Sequence, residues 1–427
     1  MQRVQSARSR NAPFDSKLAA PLRVAVIEPV GEGGLAHFAD QYCAALAAAG
    51  PEVTLFTSSR YEFTGEERPF AVDTGIELWP VHERPRLHAD RSRQFVEVSR
   101  RRLRRVFRAV RLSRALWKAA QSAAQLCPDV VQVTRSQLNP AGPFVRRSLR
   151  RRGITVVELV HEVSDREHRF SSSLSLALTR LGDRIGRLDG HIALSRVVAD
   201  LMLADRSIEP DRIAIAIHGT APIGEPDQDV VARLAEHFEL DGRLLVLFFG
   251  AIRPSKGIPT LIDAVALLPH DLDVRVVVAG HPTANVDPAA LVAHAERLGI
   301  TDRLRFEFRY LEQVEAASLL RLASLVVLPY HSASQSGVLH HAAAQAVPVL
   351  ATRVGSLDSE VRDGIDGRLV PPHDPVALAS VLDEMVVDPQ GLEAMGEAFR
   401  DHLMETASWE AAGRTVADAM LRWASRT

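Results

Sequence analysis

Cysteine is nearly absent: Cys43 and Cys127 are the only two in 427 residues. Neither belongs to a CxxC pair, so the chain offers no disulfide framework and no thiolate zinc site. No stretch approaches the roughly 20 apolar residues of a membrane-spanning helix. The first 21 residues, MQRVQSARSRNAPFDSKLAAP, lack the apolar run of a secretory signal. They read as a basic, polar, disordered leader on a cytoplasmic protein. The GxGxxG fingerprint is missing, and no acidic residue closes the second predicted strand, VTLFTSS, which argues against a dinucleotide site. HExxH and similar spacings are missing too, so the 16 histidines give no metal signal.

What remains is an ordinary globular composition, 46% hydrophobic and 24% charged. At 427 residues the chain is too long for one common core, and two domains of roughly 200 residues are expected. The charge is unevenly spread. Residues 1–220 hold 34 Lys and Arg against 24 Asp and Glu, while the remainder holds 17 against 29. Such asymmetry suggests that the first half meets something anionic. The run from Arg100 to Lys118 (RRRLRRVFRAVRLSRALWK) is the strongest contributor. Leu103, Phe107, Val110 and Leu116 give it a broken apolar face. It reads either as a solvated surface helix or as a basic amphipathic helix on an anionic membrane. It shows no nucleic-acid module pattern, so nucleic acid is not expected as a partner.

Short β-branched runs alternate with helical patterns, the signature of parallel α/β architecture. Strands are predicted at 22–28 (LRVAVIE), 52–57, 130–133, 155–160 and 191–194, with a helix over 35–49. A second series is predicted at 244–250 (LLVLFFG), 274–280 (VRVVVAG), 304–308, 325–329 and 348–351. Between them, residues 219–229 (GTAPIGEPDQD) cluster Gly, Pro and acids, and no period holds there. Two doubly wound sheets facing each other leave a cleft at the carboxyl ends of their strands, where ligands of open α/β folds bind.

Three elements border that cleft. Gly31-Glu32-Gly33-Gly34 follows the first strand and opens a helix, a place for close backbone approach and free N–H groups. Gly250-Ala251-Ile252-Arg253-Pro254-Ser255-Lys256-Gly257 follows a strand and precedes a helix. Its two cations, three apart, can straddle a diphosphate. Residues 330–338 (YHSASQSGV) put small polar side chains and Gly337 at a helix N-terminus, an anion site. Asp271-Leu272-Asp273 looks like a metal-binding DxD, but it precedes its strand, on the wrong end for the cleft, and reads as a turn.

These elements, in this order, resemble the retaining GT-B glycosyltransferases of family 4 type, over about residues 22–409. GEGGLAHFADQYCAALAAAG is similar to that family's acceptor-side glycine loop and first helix, which implies acceptor contacts at Gly33 and Gly34. VHEV is similar to its strand end with a histidine and an acid, which carries over to His161 and Glu162. FFGAIRPSKGIPTLIDA is similar to its donor-phosphate segment and carries over to Gly250, Arg253 and Lys256. PVLATRVGSLDSEVRDGIDGRLVPPHDP is similar to its closing signature, with Glu360 in an acidic position. The usual pair of glutamates, with seven residues between them, is replaced here by Ala333 and His341. Arg309-Tyr310 stand in place of a commoner Gly-aromatic pair. The loop resembles a family subset with Q-S-G, which places donor contacts on Gln335, Ser336, Gly337 and Val338. Sugar and ribose contacts then fall to Gln335, His340 or His341.

The resemblance implies a first Rossmann-like domain, 22–215, that binds the acceptor. It implies a second, 220–408, that binds a nucleotide sugar, and a last helix, 409–425, that returns to the first. The reaction expected is metal-independent hexosyl transfer to a hydroxyl with retention, His161, Arg253 and Lys256 carrying catalysis. No cofactor is expected beyond the nucleotide-sugar substrate. The acceptor class expected is a glycan or a lipid-linked, membrane-proximal sugar in envelope or exopolysaccharide synthesis, worked on by a cytoplasmic or peripheral membrane enzyme. Two rivals stay open: a sugar-nucleotide 2-epimerase of the same fold, and a degenerate GT-B partner or scaffold.

Overall fold

The structure, a computed structural model, describes residues 20–77, 94–134, 142–161, 185–206 and 208–426. Seven strands form the first sheet: β1 (Arg23–Ile27), β2 (Glu52–Ser58), β3 (Ala71–Ile76), β4 (Val130–Thr134), β5 (Thr155–Val160), β6 (Gly190–Ala193) and β7 (Ile213–Ile215). Their spatial order is β3-β2-β1-β4-β5-β6-β7, and every neighbouring pair is parallel. Six strands form the second: β8 (Leu244–Phe249), β9 (Val274–Ala279), β10 (Leu304–Glu307), β11 (Leu325–Leu328), β12 (Val349–Thr352) and β13 (Gly367–Val370). Their order is β10-β9-β8-β11-β12-β13, again all parallel.

In each sheet the winding reverses beside its first strand, between β1 and β4 and between β8 and β11. That reversal opens a crevice at the carboxyl ends of the strands. Both sheets are covered on both faces, so their strands are apolar on both sides. In β1, Val24 and Val26 face one core, while Ala25 and Ile27 face the other.

The helix Gln94–Gln125 carries the basic run across the outer face of the first sheet and buries Leu112, Leu116, Ala120 and Ala123 against it. The opposite face is covered by the helix Gly34–Ala48 together with the last helix, Trp409–Ala424. Gly413 allows these two helices to touch, since a Cβ there would lie 2.3 Å from the Ala45 carbonyl oxygen. The chain passes between domains twice, and the two passages meet. Thr220 N–H donates to the Ala407 carbonyl at 2.7 Å, and a Cβ on Gly219 would fall 2.2 Å from the Trp409 ring.

Three strands fall outside those expected from sequence: β3, β7 and β13. All three are sheet edges. The helix that follows residues 330–338 spans Gly337–Ala344.

Candidate active site

The first half of the cleft is built at the end of β1. A Cβ on Gly31 would lie 2.6 Å from Ser58 Oγ, and Gly33 adopts φ 72° as the N-cap of the helix Gly34–Ala48. Glycine is the residue that takes up such a conformation without strain. A Cβ on Gly34 would meet nothing within 4 Å. Glu28, one residue beyond β1, is buried and accepts a hydrogen bond from Val30 N–H at 3.1 Å. Burial pushes its carboxyl up to about 7. The strand-end acid of LRVAVIE was the only sequence signal for this group.

His161 caps the end of β5. Its ring stands edge-on to Phe38 at 4.8 Å, and its Nε2 is buried without a partner among the described residues. Burial lowers its pKa to about 4, so the imidazole is neutral at pH 7. Glu162 lies outside the described residues.

The second half is built at the ends of β8 and β11. Gly250 (φ 121°) and Gly280 (φ 149°) are in van der Waals contact, because a Cβ on Gly280 would fall 1.8 Å from the Gly250 oxygen. The short turn Pro254–Lys256 follows. Gly257 (φ 67°) presses that turn onto the end of β11, with a Cβ position 1.8 Å from the Pro329 oxygen. His331 N–H donates to the Ser255 oxygen at 2.7 Å, which fixes the loop further. Lys256 Nζ lies 3.6 Å from the centroid of the Tyr330 ring. Arg253 is exposed and has no ion pair among the described residues.

The Q-S-G loop is held from three sides. The Tyr330 hydroxyl is 3.2 Å from Ser336 Oγ. Gly355 (φ 54°) backs onto it, with a Cβ position 1.6 Å from the Ala333 oxygen. From the first domain, Ser195 Oγ donates to the Ser334 oxygen at 3.3 Å. Ser336 is the N-cap of the helix Gly337–Ala344 but makes no side-chain capping bond. Gln335 Oε1 is buried and has no partner among the described residues. Val338 reaches the Gly250 position, its Cγ2 3.3 Å from a Cβ built there.

Gly337→Val is therefore expected to abolish donor binding, because it puts a branched side chain at a bare helix end, where a phosphate would sit. A Cβ at this position would be 3.4 Å from His218 Nε2, so the fold has little to lose from the first carbon. Nucleotide-sugar titration of the folded variant checks this, and unchanged affinity would place the phosphate elsewhere.

His341, which replaces a family glutamate, is turned to the domain junction. Its Nδ1 is 2.9 Å from the Ala221 oxygen, so Nδ1–H donates there. His340 Nδ1 is 3.1 Å from Thr220 Oγ1, and its Nε2 is 3.6 Å from Glu360 Oε2. His218 stacks on His340 at 4.8 Å, within reach of Phe38 and Trp409. Burial lowers His218 well below the usual range, His340 to about 3 and His341 to about 4, and raises Glu360 to about 7. The junction is therefore an aromatic seam of neutral imidazoles. No sequence pattern announced it, because its partners come from distant segments.

Arg309 is committed within its own domain. Its Nη1 and Nη2 each hold Glu315 at 2.8 Å, and its Nε donates to Glu307 at 2.6 Å. Tyr310 instead crosses the cleft, its hydroxyl donating to Glu62 at 2.7 Å.

Two facing doubly wound domains with a glycine turn on one side and a cationic loop plus helix end on the other define the GT-B class. Residues 32–220 match the family described as Glycosyltransferase Family 4, and residues 243–388 match Glycosyl transferases group 1. Over those two stretches the chain is similar to group 1 and family 4 glycosyltransferases. It is 36% identical over 250 residues to a D-inositol 3-phosphate glycosyltransferase of Streptomyces coelicolor, covering 54% of each chain. It is 33% identical over 241 residues to the Mycobacterium tuberculosis protein of that name, covering 52% of this chain and 48% of the relative. The chain spans about half the length of the curated relatives it matches.

Among solved structures it is similar to sucrose-phosphate synthase from Thermosynechococcus elongatus. The TM-score is 0.70 at 20% identity, with 95% of this chain and 100% of that one covered. Anabaena HepE in complex with UDP-glucose gives a TM-score of 0.69 at 17% identity, with 94% and 100% covered. These two likenesses establish the GT-B fold.

Proposed function

We propose that the chain transfers a hexosyl unit from a nucleotide sugar to a hydroxyl acceptor, with retention at the anomeric carbon. The observation that carries this reading is the convergence of two features at the β8/β11 crevice. One is the Arg253–Lys256 turn, and the other is the uncapped start of the helix Gly337–Ala344. Backbone N–H groups at a helix start and two cations together suit a departing nucleoside diphosphate, whose charge they neutralise without a metal. His161, neutral and with a ring nitrogen that has no partner among the described residues, is suited to a hydroxyl of sugar or acceptor. The relatives named for inositol phosphate and the neighbour holding UDP-glucose support the same chemistry.

The test is release of nucleoside diphosphate and a glycosylated product from UDP-glucose and related donors, with sugar and polyol acceptors. Activity is expected to persist in EDTA. Loss that manganese or magnesium restores would defeat the metal-independent reading. An epimerised donor would select the 2-epimerase instead, and no turnover with any donor would select the scaffold.

The acceptor in this reading is membrane-proximal. Among the described residues no helix is long and apolar enough to cross a membrane. Trp117 (42% exposed) and Phe144 (55% exposed) stand among Arg147, Arg151 and Arg152 around a groove of about 610 Å³. Exposed aromatic rings beside arginines suit an anionic bilayer surface, where each cation contributes roughly 1 kcal/mol. The protein should sediment with anionic liposomes at low salt and progressively less as salt rises. Equal failure with anionic and neutral liposomes would leave the arginine face merely solvated.

A further inference from the structure

One side-chain contact joins the two halves of the site across the cleft. Glu62 lies between β2 and β3, on a segment fastened to the helix Gly34–Ala48. Its own N–H donates to the Gly31 oxygen at 3.1 Å. The neighbouring Tyr61 hydroxyl and Arg68 Nε both bind Asp40 Oδ1, at 2.5 and 2.6 Å. The Glu62 carboxylate is thus presented on a rigid frame. Its Oε1 accepts the Gly33 N–H at 2.8 Å, and its Oε2 stands 3.5 Å from His37 Nε2.

The same Oε1 accepts the Tyr310 hydroxyl from the second domain at 2.7 Å. Tyr310 follows β10, and its predecessor Arg309 is clamped between Glu307 and Glu315, so this end of the contact is rigid as well. One carboxylate oxygen therefore joins the glycine turn after β1 to the strand end beside β9. Hydrogen bonds to an ionised acceptor are about twice as strong as neutral ones, and both donors here share it.

We propose that Glu62 and Tyr310 are a positioning pair that sets the glycine turn of the first domain at a fixed offset from the nucleotide half of the cleft. Transfer needs both substrates aligned to a fraction of an ångström, and the two half-sites ride on separate cores that only such contacts can register. The functional part of this role rests on the transfer reaction proposed above, while the domain registration does not.

Small-angle X-ray scattering on the unliganded full-length chain tests the registration. Glu62→Ala and Tyr310→Phe should each raise the radius of gyration while leaving the melting temperature unchanged, and the double variant should open no further than either single one. Glu62→Gln keeps an acceptor oxygen and should restore the wild-type radius. Identical radii for the wild type, Glu62→Ala and Tyr310→Phe would overturn the pairing, whatever reaction the chain performs. In the transfer assay each of these two variants should lose about tenfold in kcat, the scale of one hydrogen bond to a charged group, with KM for the nucleotide sugar preserved. A raised KM with unchanged kcat would make Tyr310 a plain donor contact and overturn the positioning role.

Discussion

Lys256→Ala should lower turnover about a hundredfold at saturating donor, the cost of removing one preorganised charge-assisted contact from a transition state, on the order of 3 kcal/mol. The expectation follows from how the lysine is held. Its turn is pressed onto β11 by Gly257, whose Cβ position is 1.8 Å from the Pro329 oxygen, and is pinned by the His331 to Ser255 hydrogen bond at 2.7 Å. The ammonium lies 3.6 Å from the Tyr330 ring centroid, a cation–π contact that keeps it at the crevice rather than in solvent. Preorganisation of this kind is what makes a charge effective in catalysis, because no reorganisation is needed as negative charge develops. The loss should fall on kcat, with thermal stability unchanged. Near-wild-type turnover would remove Lys256 from the leaving-group site.

Trp423→Ala should destabilise the first domain by about 3–5 kcal/mol, the range for a large aromatic removed from a packed core. The Trp423 ring is 2% exposed and lies over Gly190 of β6, where a Cβ would fall 2.3 Å from the ring. Its Nε1 donates to the Asp211 oxygen at 3.1 Å, so truncation also strands a carbonyl. For a domain of this size that corresponds to a fall in melting temperature on the order of 10 °C. Chemical denaturation followed by a probe in the first domain measures it. A change within about 0.5 kcal/mol, the range of surface substitutions, would mean that the last helix is not part of that core.

The strands that were legible in the sequence are the interior ones. β1, β8, β9 and β11 are covered on both faces and appear as mainly apolar runs, broken in β9 by Arg275, and the glycines that follow β1, β8 and β9 mark where backbone meets backbone. The edge strands were harder to see for a physical reason. β3 (AVDTGI) is exposed over most of its length, β7 has three residues, and β13 opens on a glycine, so each lacks the long β-branched run that marks an interior strand.

Local motifs such as Arg253–Lys256 and Gln335-Ser336-Gly337 were readable because their geometry is set within a few residues. The junction was not. Thr220 and His340 meet across 120 positions, and Glu62 and Tyr310 across 248. Nothing about an acid in a polar loop, or a histidine in an apolar helix, announces a partner so far away.

The return of the last helix also sets the order in which the protein can be completed as it is made. The core of the second domain draws on a continuous stretch, from Ile223 to Ala407. One core of the first domain draws on Leu22 to Ala216 and then, after a long gap, on Ala412 to Trp423. Domains ordinarily fold in the order they leave the ribosome, N-terminal first, at about 5–20 residues per second. Here the domain begun first is finished last. Until the final sixteen-residue helix has emerged, one face of the first sheet and the flank of the helix Gly34–Ala48 stay open to water and to chaperones, while the second domain is already whole. The helix Trp409–Ala424 closes the first domain, so the cleft is complete only after the second domain's core has been made.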